Sequence, residues 1–258
     1  MRTQTAHRPW PLPTGPWIIA QSWHDLLFAH WPVPVEALQP LVPACLTLDS
    51  FDGRCWIGVV PFRMKGVRPR GLPALPWLSG FAELNVRTYV RGVSGQADVK
   101  PGVFFFSLDA ANPVAVAIAR AVFHLPYFRA EMSCESEGEA VCYSSRRTHA
   151  GVAVGELRGR YGPTGPAYEA RPGTLEYWLT ERYCLYAVSP FDRRAAEGEH
   201  RVYRSEIHHA PWPLQPASAE LSRNTVAQSM GVPVSGPPSE LHFARRLDVV
   251  VWSPKRLL

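Results

Sequence analysis

No stretch of this 258-residue chain is long and apolar enough to cross a bilayer as a helix. The most apolar helical run, residues 114–123, falls well short and carries Arg120. Residues 1–16 are polar and proline-rich and lack the apolar core of a secretory signal, so they read as a flexible lead-in and the expected address is cytoplasmic. The five cysteines, Cys45, Cys55, Cys134, Cys142 and Cys184, are odd in number and form no Cys-x-x-Cys pair, which argues against a disulfide framework or a zinc knuckle. Net charge is +5, but the arginines come in short pairs rather than a sustained stripe, so neither a nucleic acid nor a membrane surface is the expected partner. No glycine-rich loop follows a strand to cradle a phosphate or dinucleotide, and no serine sits in a nucleophile elbow. The histidines show no helical i, i+4 spacing, so no metal site and no cofactor are expected.

What the chain does have is turn-forming and aromatic material. Hydrophobic residues make up 46% against 19% charged, enough for a substantial core. Twenty-six prolines and nineteen glycines, with nine Trp, nine Tyr and eleven Phe, favour a β-rich fold with many turns. Strands are expected over residues 17–31, 54–62, 81–91 and 103–108, the second entered through an Asp52-Gly53 turn. Residues 63–80 read as a long surface loop. A helix over 114–123 is expected to open at Asn112-Pro113, a capping residue followed by a proline at the first helical position. Further strands are expected over 127–136, 140–149, 152–160, 182–188, 202–208 and 241–252, with helices over 174–180 and 218–230. No composition break divides residues 17–258, so one domain is expected. The pattern implies an α+β protein dominated by a closed antiparallel sheet with a few packed helices.

One strand carries candidate chemistry. Over residues 81–91, Leu84, Val86 and Val90 share one parity while Glu83, Asn85 and Arg87 share the other. Either that polar face lines a cavity or it is an ordinary solvent face; the spacing alone leaves both open. Arg120 is either a snorkelling arginine or a site-lining one. Asp109 is explained by capping or turn formation. His208 and His209, as neighbours on a strand, point to opposite faces, so one is expected beneath Trp212 and the other exposed.

Three groups of segments carry a family likeness: residues 25–32, 48–53 and 58–62; 83–90 and 102–110; and 181–186, 207–209 and 211–215. They resemble the YqjF-like family, within the acetoacetate decarboxylase-like superfamily. The resemblance implies that superfamily's mainly antiparallel β barrel or cone. Those enzymes share a helix followed by Gly-Phe-Pro-Lys-Lys, where one lysine forms a Schiff base and its neighbour lowers its pKa. Here residues 114–126 look like that helix and turn, but Tyr127 and Phe128 follow Pro126. A phenol and a phenyl ring cannot form an imine. Only Lys65, Lys100 and Lys255 remain in the chain, with Lys100 the best candidate for a relocated amine. The superfamily's glutamate is similar to Glu83 in Phe81-Ala-Glu83, and an arginine matches Arg120.

The resemblance therefore implies a protein that is not a lysine-dependent acetoacetate decarboxylase. It is expected to bind a small organic acid or carbonyl compound in the barrel through Glu83, Asn85, Arg87, Arg120 and Tyr127. In that set Arg87 would take a carboxylate, Glu83 would orient Arg87 or accept a proton, and Tyr127 would bond a carbonyl oxygen. Two alternatives stay open: a lyase or isomerase acting through Glu83 and Tyr127, and a non-catalytic scaffold with a filled interior. A homo-oligomer is compatible with the sequence.

Overall fold

The computed structural model describes residues 4–75, 77–95, 98–191 and 201–257. In chain order the strands are β1 (Ile19–Val33), β2 (Leu46–Leu48), β3 (Cys55–Pro69), β4 (Phe81–Val93), β5 (Gly102–Ala110), β6 (Tyr127–Glu137), β7 (Ala140–Arg147), β8 (Glu156–Pro163), β9 (Cys184–Val188), β10 (Val202–His208), β11 (Gln215–Asn224), β12 (Glu240–Val251) and β13 (Lys255–Arg256). Three short helices accompany them, α1 (Val35–Leu38), α2 (Pro113–Phe123) and α3 (Leu175–Thr180). No helix among the described residues is long and apolar enough to cross a membrane.

Strand pairing closes two circuits that share a wall. Nine strands, β1-β3-β4-β5-β6-β7-β8-β11-β12, return to β1 and form a mixed barrel, antiparallel except at β5–β6. A second circuit leaves the wall at β5, runs through β9 and β10, and rejoins it at β12. Its two junctions are narrow: Val103↔Leu185 and Phe104↔Tyr186 on one side, Ile207↔Val251 and His208↔Val250 on the other. The shared strands β12, β1, β3, β4 and β5 are buried on both faces, which explains their near-continuous apolar character. Leu27, Ile57, Leu84, Val86 and Phe106 point into the nine-strand barrel, where they pack with Tyr143 and Tyr161. The opposite parity, including Phe28, Phe62 and Phe105, faces the seven-strand circuit.

Local chemistry sets the turns. Asp52 and Gly53 have φ of 48° and 74°, and Phe51 and Arg54 exchange both backbone hydrogen bonds at 3.0 Å. Both positive φ values suit the tight turn that Asp-Gly favours. Asn112 caps α2, its side-chain oxygen accepting from the Val114 and Ala115 amides at 3.0 Å. The helix ends at His124, whose φ of 56° is the left-handed cap conformation.

Three expectations require correction. Residues 63–69 are not loop: β3 continues to Pro69 because β1 pairs alongside it, Ile19 opposite Pro69. Residues 218–230 are not a helix. They form most of β11 and a one-turn 3₁₀ segment at Gln228–Met230, and β11 alternates between half-buried and exposed positions with period two. Nor do the described residues of the lead-in stand clear of the sheet. Arg8 is buried and donates to the Ile207 carbonyl at 2.6 Å, and Trp10 donates to Glu206 at 3.0 Å.

Candidate ligand-binding site

A cavity of about 220 Å³ lies inside the seven-strand circuit. Every strand of that circuit contributes to its wall, and α2 covers one side through Ala115, Ile118, Ala119 and Phe123. Most of the lining is apolar. The polar exceptions are Gln21 from β1, Glu83, Asn85 and Arg87 from β4, Tyr127 from β6, and Thr180, Arg182 and His209 from the segments around α3 and β10. The alternation read from residues 81–91 thus places Glu83, Asn85 and Arg87 on the cavity face, while their neighbours Leu84 and Val86 pack in the barrel core.

Glu83 is 2% exposed, and its Oε2 accepts a hydrogen bond from the Tyr127 hydroxyl at 2.8 Å. No cation pairs with it among the described residues. Burial is the main force on its pKa, opposed by the Tyr127 bond and reinforced by nearby Asp109, and the result is about 8. Glu83 is therefore mostly the neutral acid at pH 7. It does not orient Arg87, as expected from sequence; it is tied to Tyr127. Burial beside Glu83 holds the Tyr127 phenol well above its ordinary value, so it remains a hydrogen-bond donor. The backbone at Glu83 is fixed from the barrel side by Tyr143, whose hydroxyl donates to the Glu83 carbonyl at 2.7 Å.

Tyr127 is positioned by the end of α2. After the left-handed turn at His124, the Pro126 carbonyl accepts from the Leu108 amide at 3.0 Å, and Arg120 donates to the Tyr127 carbonyl at 2.8 Å. That bond is the role the structure gives Arg120. It does not line the cavity, contrary to expectation, because its guanidinium curls around the helix end towards the backbone. Asp109 does not cap α2 either. It takes a two-pronged bond from Arg147 at 2.7 and 3.1 Å, with both side chains buried.

Arg87 forms no ion pair among the described residues. Its guanidinium lies 5.4 Å from the centre of the Phe28 ring, donates a long hydrogen bond of 3.4 Å to the Leu179 carbonyl, and also hydrogen-bonds the Tyr89 side chain. Its Nε and the Asn85 side-chain oxygen are buried without partners. Arg182, by contrast, is anchored: it donates to Asp49 at 2.8 Å and to the Trp178 carbonyl at 2.6 Å, leaving one nitrogen unbonded. His209 is buried rather than exposed, stacked 4.7 Å from Tyr183, and burial pushes its pKa down to about 4, so it is neutral near pH 7. His208 is buried as well.

Arg182 and His209 line the cavity without any local sequence pattern that marks them for it. A buried arginine just after a short helix carries no pattern distinguishing it from an exposed one. No lysine lines the cavity. Lys100 pairs with Glu206 at 2.7 Å, and Lys65 and Lys255 are exposed, so none is placed for imine chemistry there.

The DUF2071 family model, described as an uncharacterized conserved protein, matches residues 20–248. The uncharacterized protein YqjF of Bacillus subtilis (strain 168) is 43% identical over 241 residues, covering 93% of each chain. Among solved structures, acetoacetate decarboxylase from Legionella pneumophila superposes with a TM-score of 0.57 at 15% identity, covering 98% of this chain and 93% of that one. An acetoacetate decarboxylase-like enzyme from Sphingomonas wittichii RW1 gives 0.61 at 14%, covering 93% and 92%. The enduracididine biosynthesis enzyme MppR, complexed with pyruvate, gives 0.60 at 10%, covering 95% and 91%. At these identities the solved structures establish the fold alone. The chain belongs to the YqjF-like DUF2071 family and has an acetoacetate decarboxylase-like fold.

Proposed function

We propose that this protein binds a small organic acid or carbonyl compound in the cavity of the seven-strand circuit, without Schiff-base chemistry. The observation that carries the reading is Arg87: a guanidinium on the cavity wall with no carboxylate partner, beside unpartnered Asn85. A cation kept in a low-dielectric site without a counter-ion is costly, and an incoming carboxylate relieves that cost. Neutral Glu83, held by the Tyr127 hydroxyl, stands alongside with its carboxyl proton as a hydrogen-bond donor for a carbonyl or carboxylate oxygen. That MppR has the same fold and is described complexed with pyruvate supports the ligand class. The cavity itself weighs against a scaffold whose interior is filled.

The test is calorimetric titration of pyruvate and acetoacetate into wild type, Arg87→Ala and Glu83→Gln, with circular dichroism to establish the fold. Binding lost in both folded variants supports the site; binding untouched by both sinks it. A second reading, a lyase or isomerase, rests on the 2.8 Å Tyr127–Glu83 contact. With its pKa near 8, Glu83 would enter such a reaction as an acid rather than a base. Turnover that survives borohydride and is lost in Tyr127→Phe would favour it.

A further inference from the structure

Apart from Gln21 on β1, the charged and hydrogen-bonding residues of the cavity wall come from β4, Tyr127, Thr180, Arg182 and His209. Glu83, Asn85 and Arg182 are 2%, 6% and 7% exposed, Phe28 beside them is fully buried, and Arg87 itself is half-buried. Away from them the walls become apolar and progressively open. Val67 and Leu78 are half-buried, and Ile118 of α2 lines the cavity while being 44% exposed. Solvent therefore reaches the cavity along α2 through apolar residues, and the half-buried Arg87 stands on the polar part of the wall.

Size points the same way. An apolar cavity of about 150 Å³ takes up benzene. At about 220 Å³ this cavity holds roughly half as many atoms again, which is more than pyruvate fills. A three-carbon keto acid bound at Arg87 would leave the aromatic stretch formed by Trp23, Phe62 and Phe81 uncovered.

Resting on the carboxylate reading above, we infer that the ligand is a monocarboxylate with an apolar tail of about five to eight carbons, its carboxylate on Arg87 and its tail running out along the aromatic wall towards Ile118. The acid end supplies the guanidinium with a counter-ion and its Nε with an acceptor, and the tail displaces water from the apolar walls.

A homologous series separates the two parts of the claim. Calorimetry with acetate, pyruvate, butanoate, hexanoate, octanoate and 3-phenylpropanoate should show affinity rising about fourfold per methylene, levelling off near octanoate. Octan-1-ol, which keeps the tail and lacks the charge, should bind at least tenfold more weakly than octanoate. Arg87→Ala should weaken every acid by a similar factor and leave the increment per methylene intact. Ile118→Glu, at a half-exposed position that does not support the core, should weaken octanoate by a larger factor than pyruvate.

Acids that bind through Arg87 with no gain from chain length would overturn the tail and leave the carboxylate site standing. Octan-1-ol binding as tightly as octanoate, with Arg87→Ala silent, would overturn the carboxylate site. No binding across the series would overturn both.

Discussion

Glu83 and Arg87 are neighbours on one face of β4, yet each sits in a state that costs stability. The glutamic acid has lost its charge to burial, and the arginine keeps its charge without a partner. For Glu83 the folded-state pKa, about 8, lies above the ordinary 4.5. The folded state therefore holds the proton more tightly, and this contribution is full below pH 4.5 and lost as pH rises through 8. The gap corresponds to at most about 5 kcal/mol. Glu83→Gln removes the titration, so between pH 5 and 9 its urea-unfolding free energy should fall by several kcal/mol less than that of wild type; superimposable pH profiles would contradict the assignment. The same ionisation places a negative charge beside a bound carboxylate, so affinity for an acid should drop as pH rises through 8. Arg87→Ala breaks no ion pair and removes a charge without a counter-ion, so it should leave stability unchanged or raise it. Arg147→Ala, which strands the buried Asp109 carboxylate, should cost about 3–5 kcal/mol. Denaturation of the two variants side by side separates a ligand-directed arginine from a structural one. The parity of Glu83, Asn85 and Arg87 was legible because alternation is local. The anchoring of Arg182 on Asp49 was not, because those two residues meet only across the fold.

At the scale of elements, two glycines hold the site open. A Cβ on Gly58 would lie 3.1 Å from the His30 ring and 3.3 Å from the Arg87 stem, so this position in β3 leaves room for the side chains flanking it. A Cβ on Gly102 would lie 2.4 Å from the Cys184 carbonyl, which no side-chain adjustment relieves. Gly102→Ala should therefore break the β5–β9 junction and weaken ligand binding more than Gly58→Ala does, with amide exchange in β9 rising sharply. Unchanged protection of β9 in Gly102→Ala would contradict the role given to that junction. Helix α2 was readable because Asn112-Pro113 is a self-contained signal. β11 was misread because Ala, Glu and Leu are good helix residues. What overrides them is pairing with β8, where Ala219 lies opposite Tyr161, and with β12. β3 was cut short for a similar reason: its last residues include Pro69 and Gly66, which takes a φ of 63° at a register shift, and pairing with β1 carries the strand through them.

For the molecule as a whole, division of labour follows from the two circuits. The nine-strand barrel is packed with aromatic and aliphatic side chains and supplies stability. The seven-strand circuit closes through two short junctions and supplies the cavity. Its weaker closure predicts that amides of β9 and β10 exchange before those of β1, β3 and β4, and that ligand slows them. The closed, mainly antiparallel sheet was legible from strand count and turn spacing. The second circuit was not, because its two junctions join residues far apart in the chain through only two residue pairs each.

The central claim, that Arg87 receives a carboxylate, is tested most directly by calorimetric titration of octanoate and pyruvate into wild type and Arg87→Ala at pH 6.5. The account expects saturable binding in wild type and at least tenfold weaker binding in a folded Arg87→Ala. Equal affinity in the two proteins, or no binding of either acid to wild type, would contradict it.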